Sequence, residues 1–181
     1  MYLGVEQSIS NRRWLGPPLA IERDALALHK QSDLPLPLCC VMARLGVAPL
    51  EVEDFLNPTL RANMSDPQSL KDCAKAADIL HSAIQNQQKI AIFADYDVDG
   101  GTSAALLIDF LRQFTIEPTL YVHDRITEGY GPNPKAMAAL ADHYDLIICV
   151  DCGTLAHEAL EAARAADVVV LDHHLGAETL P

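Results

Sequence analysis

The stretch that decides the fold reads KIAIFA from Lys89 to Ala94, followed by DYDVDGG from Asp95 to Gly101. The first part is a short apolar run, typical of a strand buried on both faces of a parallel sheet. Three carboxylates then alternate at Asp95, Asp97 and Asp99. Carboxylates this close repel each other unless a cation or protons compensate their charge. The stretch therefore favours a strand that ends in a site for a divalent cation.

Two other interpretations of the acidic stretch are a solvated turn and a calcium loop of the EF-hand type. The calcium loop needs a glutamate at its twelfth position. Counted from Asp95, that position is Leu106, which excludes this interpretation. The solvated turn stays open on local sequence alone. If a metal binds, an oxygen-rich cluster suits magnesium or manganese.

Strand and helix patterns alternate downstream of residue 88. Apolar runs that predict further strands cover Thr119 to Val122, Leu146 to Val150, and Val168 to Leu171. Helical spacing between the strands covers Thr102 to Gln113, Pro134 to Asp142, and Leu155 to Ala165. This alternation predicts an α/β domain, doubly wound, with a parallel sheet and helices on both of its faces. Ligands of such domains lie beyond the carboxyl ends of the strands.

Two of these predicted strands end in residues that commonly bind metals. Asp151-Cys152-Gly153 follows one strand and Asp172-His173-His174 follows another. Any one of these side chains alone could be a helix cap or a structural histidine. Because the carboxyl ends of parallel strands meet at one edge, we expect the side chains to converge with the first acidic stretch. A mixed Asp/His set suits manganese, and two metals that share a carboxylate are a known arrangement for phosphoryl chemistry.

The segment from Asp124 to Pro134 separates the second strand from its helix. Gly129 and Gly131 allow a close approach of backbone to a ligand, and Asn133 before Pro134 is typical of a helix N-terminus. A helix N-terminus beside Arg125 would seat a phosphate. A plain loop that enters a helix explains the local sequence equally well.

The region before residue 88 predicts helices separated by proline-rich breaks, at Ile21 to Lys30, Leu38 to Leu45, Pro49 to Leu56 and Ser69 to Gln85. The last of these has an apolar face of Leu70, Ala74, Ala77, Leu80, Ala83 and Ile84. We divide the chain into a helical N-terminal region, 1–67, and an α/β domain, 68–181.

The composition limits the class of protein. Half of the 181 residues are hydrophobic, no apolar run is long enough for a membrane helix, and no signal peptide is evident. We therefore expect a cytoplasmic location without membrane contact. The net charge of −12 argues against extensive nucleic-acid binding by this segment alone.

The five cysteines do not form a disulfide pattern. Cys149 and Cys152 have the spacing of a zinc or redox pair, but no second pair completes a zinc set. Buried thiols are the favoured interpretation.

DYDVDG, EGYG, DCG and DHH occur in this order at the predicted strand ends, and they resemble the motifs of the DHH phosphoesterase superfamily. Upstream, FLNPTL from Phe55 and the stretch from Asp66 to Asp72 resemble one branch, the RecJ-type single-strand-specific 5′→3′ exonucleases. Ala94 and Leu171 depart from the residues usual in the family, glycine and threonine, but leave the candidate ligands intact.

The resemblance implies a role for each motif residue. Asp97, Asp99 and Asp151 would bind metal, with Asp151 shared between two ions and Asp95 as a further ligand. His173 would bind the second ion, His174 would face the scissile phosphate, and Asp172 would orient the histidines. Arg125, Gly129 and Gly131 would hold phosphate. The implied cofactor is Mn²⁺ or Mg²⁺, two ions in the intact enzyme.

The implied reaction is metal-assisted hydrolysis of phosphodiester bonds in single-stranded DNA, in repair and recombination. A single-strand-binding protein and a helicase are further partners that the resemblance suggests, and it implies a monomer. The family's second domain would follow Pro181, so we expect a fragment that alone binds manganese weakly and has little nuclease activity. The alternatives are a phosphodiesterase of short oligonucleotides or cyclic dinucleotides, a non-catalytic replication scaffold, and a manganese pyrophosphatase, which the N-terminal motifs disfavour.

Overall fold

The computed structural model describes residues 5–181. The chain divides between Asp66 and Pro67 into two compact units. The boundary of the functional domain, placed between residues 67 and 68 from sequence, stays a prediction.

The first unit is helical, as the sequence predicts. Its helices are α1 (Leu19–Ser32), α2 (Leu36–Arg44), α3 (Val52–Leu56) and α4 (Leu60–Asn63), with a 3₁₀ turn at Pro49–Glu51. Helix α1 ends at Ser32, and the next residue, Asp33, has a positive φ of 56° that turns the chain towards α2. The small core of this unit consists of Ala25, Leu28, Cys39, Met42, Ala43 and Val52. The helix α4 was missed because a single turn leaves no periodic signal.

The second unit alternates strands and helices. A 3₁₀ turn at Pro67–Ser69 precedes α5 (Cys73–Gln85), β1 (Ile90–Ala94), α6 (Val98–Arg112), β2 (Thr119–Val122), α7 (Pro134–Ala141), β3 (Leu146–Val150), α8 (His157–Ala162) and β4 (Asp167–Leu171). The four strands are the predicted ones to within one residue. None of the helices in residues 5–181 is both long and apolar enough to cross a membrane.

The sheet is parallel throughout, with the strand order β2-β1-β3-β4. One face packs on α5 and α6 through a core that includes Ile92, Leu111 and Ile148. The opposite face packs on α7 and α8 through a core that includes Phe93 and Met137. Every residue of β1 and β3 is buried, as their unbroken apolar runs predict. The α/β architecture with helices on both faces is thus confirmed.

The chain reverses direction across the sheet between the two central strands. Helix α6 leaves β1 on one face, whereas α8 leaves β3 on the other. A crevice therefore opens between the carboxyl ends of β1 and β3, which is where ligands of doubly wound sheets bind.

The prediction for α5 was wrong at its start and on part of its buried face. The helix begins at Cys73, because Asp72 takes a left-handed conformation with φ of 57°. Leu70 is outside the helix and exposed, and Ala74 and Ala77 are exposed as well. The face that packs on the sheet consists of Ala76, Ile79, Leu80, Ala83 and Ile84. Alanines occur all around this helix, so apolar spacing alone did not select the correct face.

Helix α6 begins four residues earlier than predicted, at Val98. Two glycines disfavour a helix, but the carboxylate of Asp97 caps it by accepting the backbone N–H groups of Asp99 and Gly100, both at 3.0 Å. The third carboxylate of the acidic stretch therefore belongs to the first helical turn.

Candidate metal centre

The ends of three strands bring carboxylates and imidazoles together. Asp95 follows β1, Asp151 follows β3, and Asp172-His173-His174 follows β4. Among the described residues, two groups offer ligand atoms that lie within 4.8 Å of one another: Asp95, Asp97 and Asp151, and Asp151, His173 and His174. Asp151 is a member of both groups. Two adjacent cation sites that share one carboxylate would have this composition.

Asp151 is the central residue of the cluster. It is only 5% exposed, and neither carboxylate oxygen has a hydrogen-bond partner among the described residues. Nε2 of His173 lies 3.1 Å from Oδ1, without the alignment of a hydrogen bond. Burial raises the pKa of this carboxyl, and the neighbouring Asp97 carboxylate adds to the shift. A buried carboxylate in this condition gains most from a cation.

Asp97 has the opposite electrostatic environment. The backbone N–H of Gly100 lowers the pKa of its carboxyl, and that of Asp99 acts in the same direction. The positive end of the α6 dipole acts on the same carboxylate. Asp97 thus stays ionised beside the buried carboxyl of Asp151, and the pair presents a strong negative charge.

Asp95 is buried at 2% exposure, and its Oδ1 accepts the backbone N–H of Tyr96 at 2.7 Å. Its backbone lies directly against Gly100: a Cβ at that glycine would come within 2.4 Å of the Asp95 carbonyl oxygen. Only glycine allows α6 to start this close to the end of β1. The first glycine of the acidic motif therefore has a packing role.

A chain of hydrogen bonds fixes one of the two histidines. Asp172 contacts Nδ1 of His174 at 2.7 Å, and its other oxygen accepts the hydroxyl of Thr154 at 2.6 Å and its N–H at 3.0 Å. Burial alone would raise the pKa of Asp172, but these bonds outweigh it and hold the pKa well below its usual range. The contact with Asp172 raises the pKa of His174. Nε2 of His174 lies 3.3 Å from the hydroxyl of Tyr130.

The loop after β2 lies near this group without joining it. Arg125 is exposed, with its guanidinium carbon 5.5 Å from the centre of the Tyr96 ring. Gly129 and Gly131 both have positive φ, 87° and 72°, and a Cβ on either would meet no atom within 4 Å. Gly129 is exposed, whereas Gly131 is buried and donates its backbone N–H to Nε2 of His123. The turn between them includes Tyr130, which reaches His174.

Glu128 of the same loop has a structural role. Its carboxylate accepts the hydroxyl of Tyr121 at 2.5 Å and the backbone N–H of Asp124 at 2.8 Å. The Tyr121 hydroxyl lowers the pKa of Glu128, and that bond in turn raises the pKa of Tyr121 to about 12. This carboxylate closes the loop on itself and belongs to neither metal-ligand group.

Not every predicted residue joins the two groups. Asp99 is exposed on the first turn of α6 and belongs to neither of them, and within residues 5–181 the carboxylate of Asp172 is hydrogen-bonded to His174 and not to His173. Sequence reasoning also missed Thr154 and His123, and it assigned the EGYG turn to phosphate without singling out Tyr130. His123 follows β2 directly, so the strand-end argument could have found it. Thr154 has no local signal, because its contact with Asp172 joins two strand ends.

The two cysteines of the C-x-x-C spacing are not part of the cluster. Both are buried, and burial raises the pKa of Cys149 to about 12 and that of Cys152 above its usual range as well. Neither thiol is ionised at neutral pH, and the metal-ligand groups found among residues 5–181 contain no cysteine. The structure agrees with buried thiols.

The donor set fits a divalent cation. The ligand atoms are carboxylate oxygens and imidazole nitrogens, which suit manganese, and magnesium at the all-carboxylate group. The unpartnered oxygens of Asp151 support binding of a cation here, because a buried carboxylate without a partner destabilises the fold.

This fold and this cluster define a parallel α/β domain with a candidate divalent-cation site at the carboxyl ends of its strands. The model of the DHH family, N-terminal domain, matches residues 89–181. The chain belongs to the DHH family.

Within that family, the chain is similar to proteins named single-stranded-DNA-specific exonuclease RecJ. It is 40% identical to the RecJ of Bacillus subtilis (strain 168) over 158 residues, which are 86% of this chain and 20% of that protein. It is 35% identical to the RecJ of Dickeya dadantii (strain 3937) over 159 residues, 83% of this chain and 27% of that protein. The chain thus spans between a fifth and about a quarter of the length of these curated relatives.

Solved structures show the same similarity. A crystal structure of exonuclease RecJ bound to manganese aligns with a TM-score of 0.56 and 31% identity, over 59% of this chain and 28% of that one. RecJ in complex with Mn²⁺ from Thermus thermophilus aligns with a TM-score of 0.56 and 25% identity, over 91% of this chain and 22% of that one.

Proposed function

We propose that this chain supplies the metal-binding part of a nuclease that hydrolyses phosphodiester bonds of single-stranded DNA from the 5′ end. The observation that carries the proposal is Asp151, a buried carboxylate shared by two potential cation sites. The similarity to manganese-bound RecJ structures supports Mn²⁺ or Mg²⁺ as the cofactor. The 40% identity to a RecJ protein supports the reaction and the substrate.

The residues divide into two cation sites. Asp95, Asp97 and Asp151 would hold one ion, and Asp151 with His173 would hold the other. Asp99 is proposed as a further ligand on the strength of the motif alone. When bound, the cations supply Lewis-acid stabilisation of charge on the phosphoryl oxygens.

The remaining residues would orient the phosphate and manage a proton. Asp172 holds Nδ1 of His174, so Nε2 is directed away from that carboxylate and towards the Tyr130 hydroxyl. The raised pKa of His174 favours a protonated ring, whose Nε2–H can donate to a phosphate oxygen. Arg125 and Gly129 would contact phosphate from the loop after β2, whereas Gly131, buried with its N–H donated to His123, would shape the turn.

The setting of the whole protein is also a proposal. We infer a cytoplasmic, monomeric enzyme that acts in DNA repair and recombination, with a single-strand-binding protein and a helicase as partners. The net charge of −12 means that this segment would not hold a long DNA strand by itself. The acidic charge therefore favours binding of the DNA strand by other segments of the protein.

Metal binding is the first test, because this chain carries both ligand groups. Titration with Mn²⁺, followed by calorimetry and by the electron paramagnetic resonance of free Mn²⁺, should show binding by the chain. Asp151→Asn should abolish it, since an amide cannot supply the shared negative charge. Tyr144→Phe, at the opposite edge of the sheet, is the matched control and should bind normally. Absence of Mn²⁺ and Mg²⁺ binding would refute the two-cation site.

Cleavage is the second test, in a chimera where this chain replaces the matching 158 residues of the Bacillus subtilis RecJ. End-labelled single-stranded DNA, duplex DNA and a linear dinucleotide are mixed with the chimera and Mn²⁺. Loss of the single strand from its 5′ end, with duplex spared, is the expected result. Consumption of the dinucleotide alone would indicate a phosphodiesterase of short oligonucleotides. An inactive chimera that still binds Mn²⁺ would favour a scaffold.

A further inference from the structure

A buried histidine lies beside the proposed metal centre without a role in it. His123 follows β2 directly, and its side chain is fully buried. The ring stacks on Phe93, with centroids 5.6 Å apart and an interplanar angle of 10°. The rings of Tyr96 and Tyr130 meet it edge-on at 5.0 and 6.3 Å. Three aromatic side chains thus fix the orientation of one imidazole.

The hydrogen bond at one ring nitrogen of His123 defines the tautomer. Nε2 accepts the backbone N–H of Gly131 at 3.2 Å. An accepting nitrogen carries the lone pair, so the ring proton lies on Nδ1. Nδ1 is buried and has no hydrogen-bond partner among residues 5–181.

The same contacts separate His123 from the metal ligands. Its Nε2 lies 3.7 Å from Oδ1 of Asp95, too far for a hydrogen bond, and its lone pair already accepts the N–H of Gly131. His123 is also absent from both groups of ligand atoms. Its polar contact is therefore with the loop.

We propose that His123 is a positioning residue that holds the turn 128–131 against the end of the sheet. Gly131 follows Tyr130, whose hydroxyl lies 3.3 Å from Nε2 of His174. By accepting the N–H of Gly131, the imidazole fixes the backbone from which Tyr130 reaches the histidine at the end of β4. This inference rests on the proposed function, since it assigns the turn to substrate binding at that site.

The first measurement reads the imidazole of the 181-residue chain directly. Long-range ¹H–¹⁵N correlation spectra distinguish protonated from unprotonated ring nitrogens, and His123→Gln identifies the signal by its loss. We expect His123 to have an unprotonated Nε2 and a protonated Nδ1, as the hydrogen bond from Gly131 requires. A protonated Nε2 would overturn the proposal, because that nitrogen could not accept from Gly131.

Two variants then separate hydrogen bonding from packing. His123→Leu fills much of the space but leaves the buried N–H of Gly131 without an acceptor, whereas the side-chain oxygen of His123→Gln can replace Nε2. Hydrogen exchange of the amides in 128–131 should accelerate at least about tenfold in the leucine variant and stay near the wild-type rate in the glutamine variant. Equal rates in the three proteins would refute the role.

The cleavage assay of the chimera connects the turn to substrate. His123→Leu should raise the KM for single-stranded DNA on the order of tenfold with a smaller change in kcat, and His123→Gln should restore most of the loss. Unchanged KM with altered hydrogen exchange would overturn the assignment of the turn to substrate binding. If the wild-type chimera cleaves nothing, the proposed function fails, while the spectra and the exchange rates still decide whether His123 holds the turn.

Discussion

Asp151 combines two features that destabilise the metal-free protein. Its φ of 60° is in the left-handed region, which a residue with a Cβ adopts at some cost. Its carboxylate is buried with no hydrogen-bond partner among the described residues. Both features destabilise the metal-free fold, and both place the carboxylate between the ends of β1 and β4. A cation would offset this cost.

Asp151→Asn should therefore stabilise the metal-free chain while removing its response to metal. We expect the free energy of unfolding at neutral pH to rise by about 1 kcal/mol, because a buried unpaired charge is lost. The pKa of Asp151 is raised in the folded state, so the wild type loses stability as pH rises through that pKa. The advantage of the variant should widen from about pH 4 to neutral pH.

Thermal unfolding with and without Mn²⁺ checks this prediction. Mn²⁺ should raise the Tm of the wild type and leave that of Asp151→Asn unchanged. A variant less stable than the wild type in the absence of metal would mean that the carboxylate is held by interactions other than those described.

The hydrogen bond between Tyr121 and Glu128 gives a second prediction at this scale. The pKa of Glu128 is lowered in the folded state, first by the Tyr121 hydroxyl. A lowered carboxyl pKa contributes stability that is present above the unfolded pKa, about 4.3, and is lost as pH falls through the folded pKa. Tyr121→Phe should therefore cost about 1 kcal/mol at neutral pH and progressively less in acid.

Urea unfolding of Tyr121→Phe at a series of pH values measures this effect. Tyr144→Phe is the matched control, because its hydroxyl donates to the neutral Thr119 hydroxyl at 2.9 Å and has no ionisable partner there. A constant difference between Tyr121→Phe and the wild type across the pH range would show that Glu128 does not depend on this bond.

Among the elements, the junction of β1 and α6 most strongly restricts which residue types fit at its positions. The strand delivers Asp95, and the helix must begin within three residues so that Asp97 can cap it. This compact turn brings Gly100 against the backbone of Asp95, where a Cβ has no room. The next glycine, Gly101, has open space around its Cβ position. Packing against Asp95 therefore requires glycine at position 100, whereas packing does not require it at position 101.

Alanine at these two positions should have opposite effects. Gly100→Ala should destabilise the fold by about 1–3 kcal/mol or more and weaken Mn²⁺ binding, because the helix must move away from Asp95. Gly101→Ala should stabilise it by roughly 0.5–1 kcal/mol, the usual gain of alanine over glycine in a helix. Chemical denaturation and Mn²⁺ titration of the pair test this. Equal effects would contradict the packing role of Gly100.

At the scale of the whole molecule, both ligand groups and both cores of the sheet come from the second unit. The helices α5 to α8 and the four strands bury their apolar faces within residues 67–181. A domain of this size can bury enough apolar surface to fold alone.

Residues 67–181 expressed alone should therefore unfold cooperatively and bind Mn²⁺ within about a factor of two of the 181-residue chain, a difference of about 0.4 kcal/mol. Circular dichroism and calorimetry measure the two properties. A loss of affinity beyond about tenfold, without a loss of fold, would show that the first unit contributes to the metal site.

The elements were predictable where one physical rule dominated. Buried parallel strands are apolar without interruption, so β1 and β3 could be located from their residues alone. The packing face of α5 could not, because alanine tolerates both core and surface and leaves no periodic contrast. The start of α6 could not be predicted either, because the cap at Asp97 outweighs the low helix propensity of two glycines.

The sequence by itself determined the α/β class, the four strands and the set of acidic and imidazole residues at their ends. These follow from local periodicity and from the parallel sheet, which brings strand ends to one edge. The resemblance of the motifs already implied that Asp151 is shared between two ions. Only the tertiary structure decided that Asp99 belongs to neither group and that Thr154 and His123 contact the site from positions without a motif. Such contacts join residues far apart in the chain, and their geometry depends on strand order and packing, which local sequence does not encode.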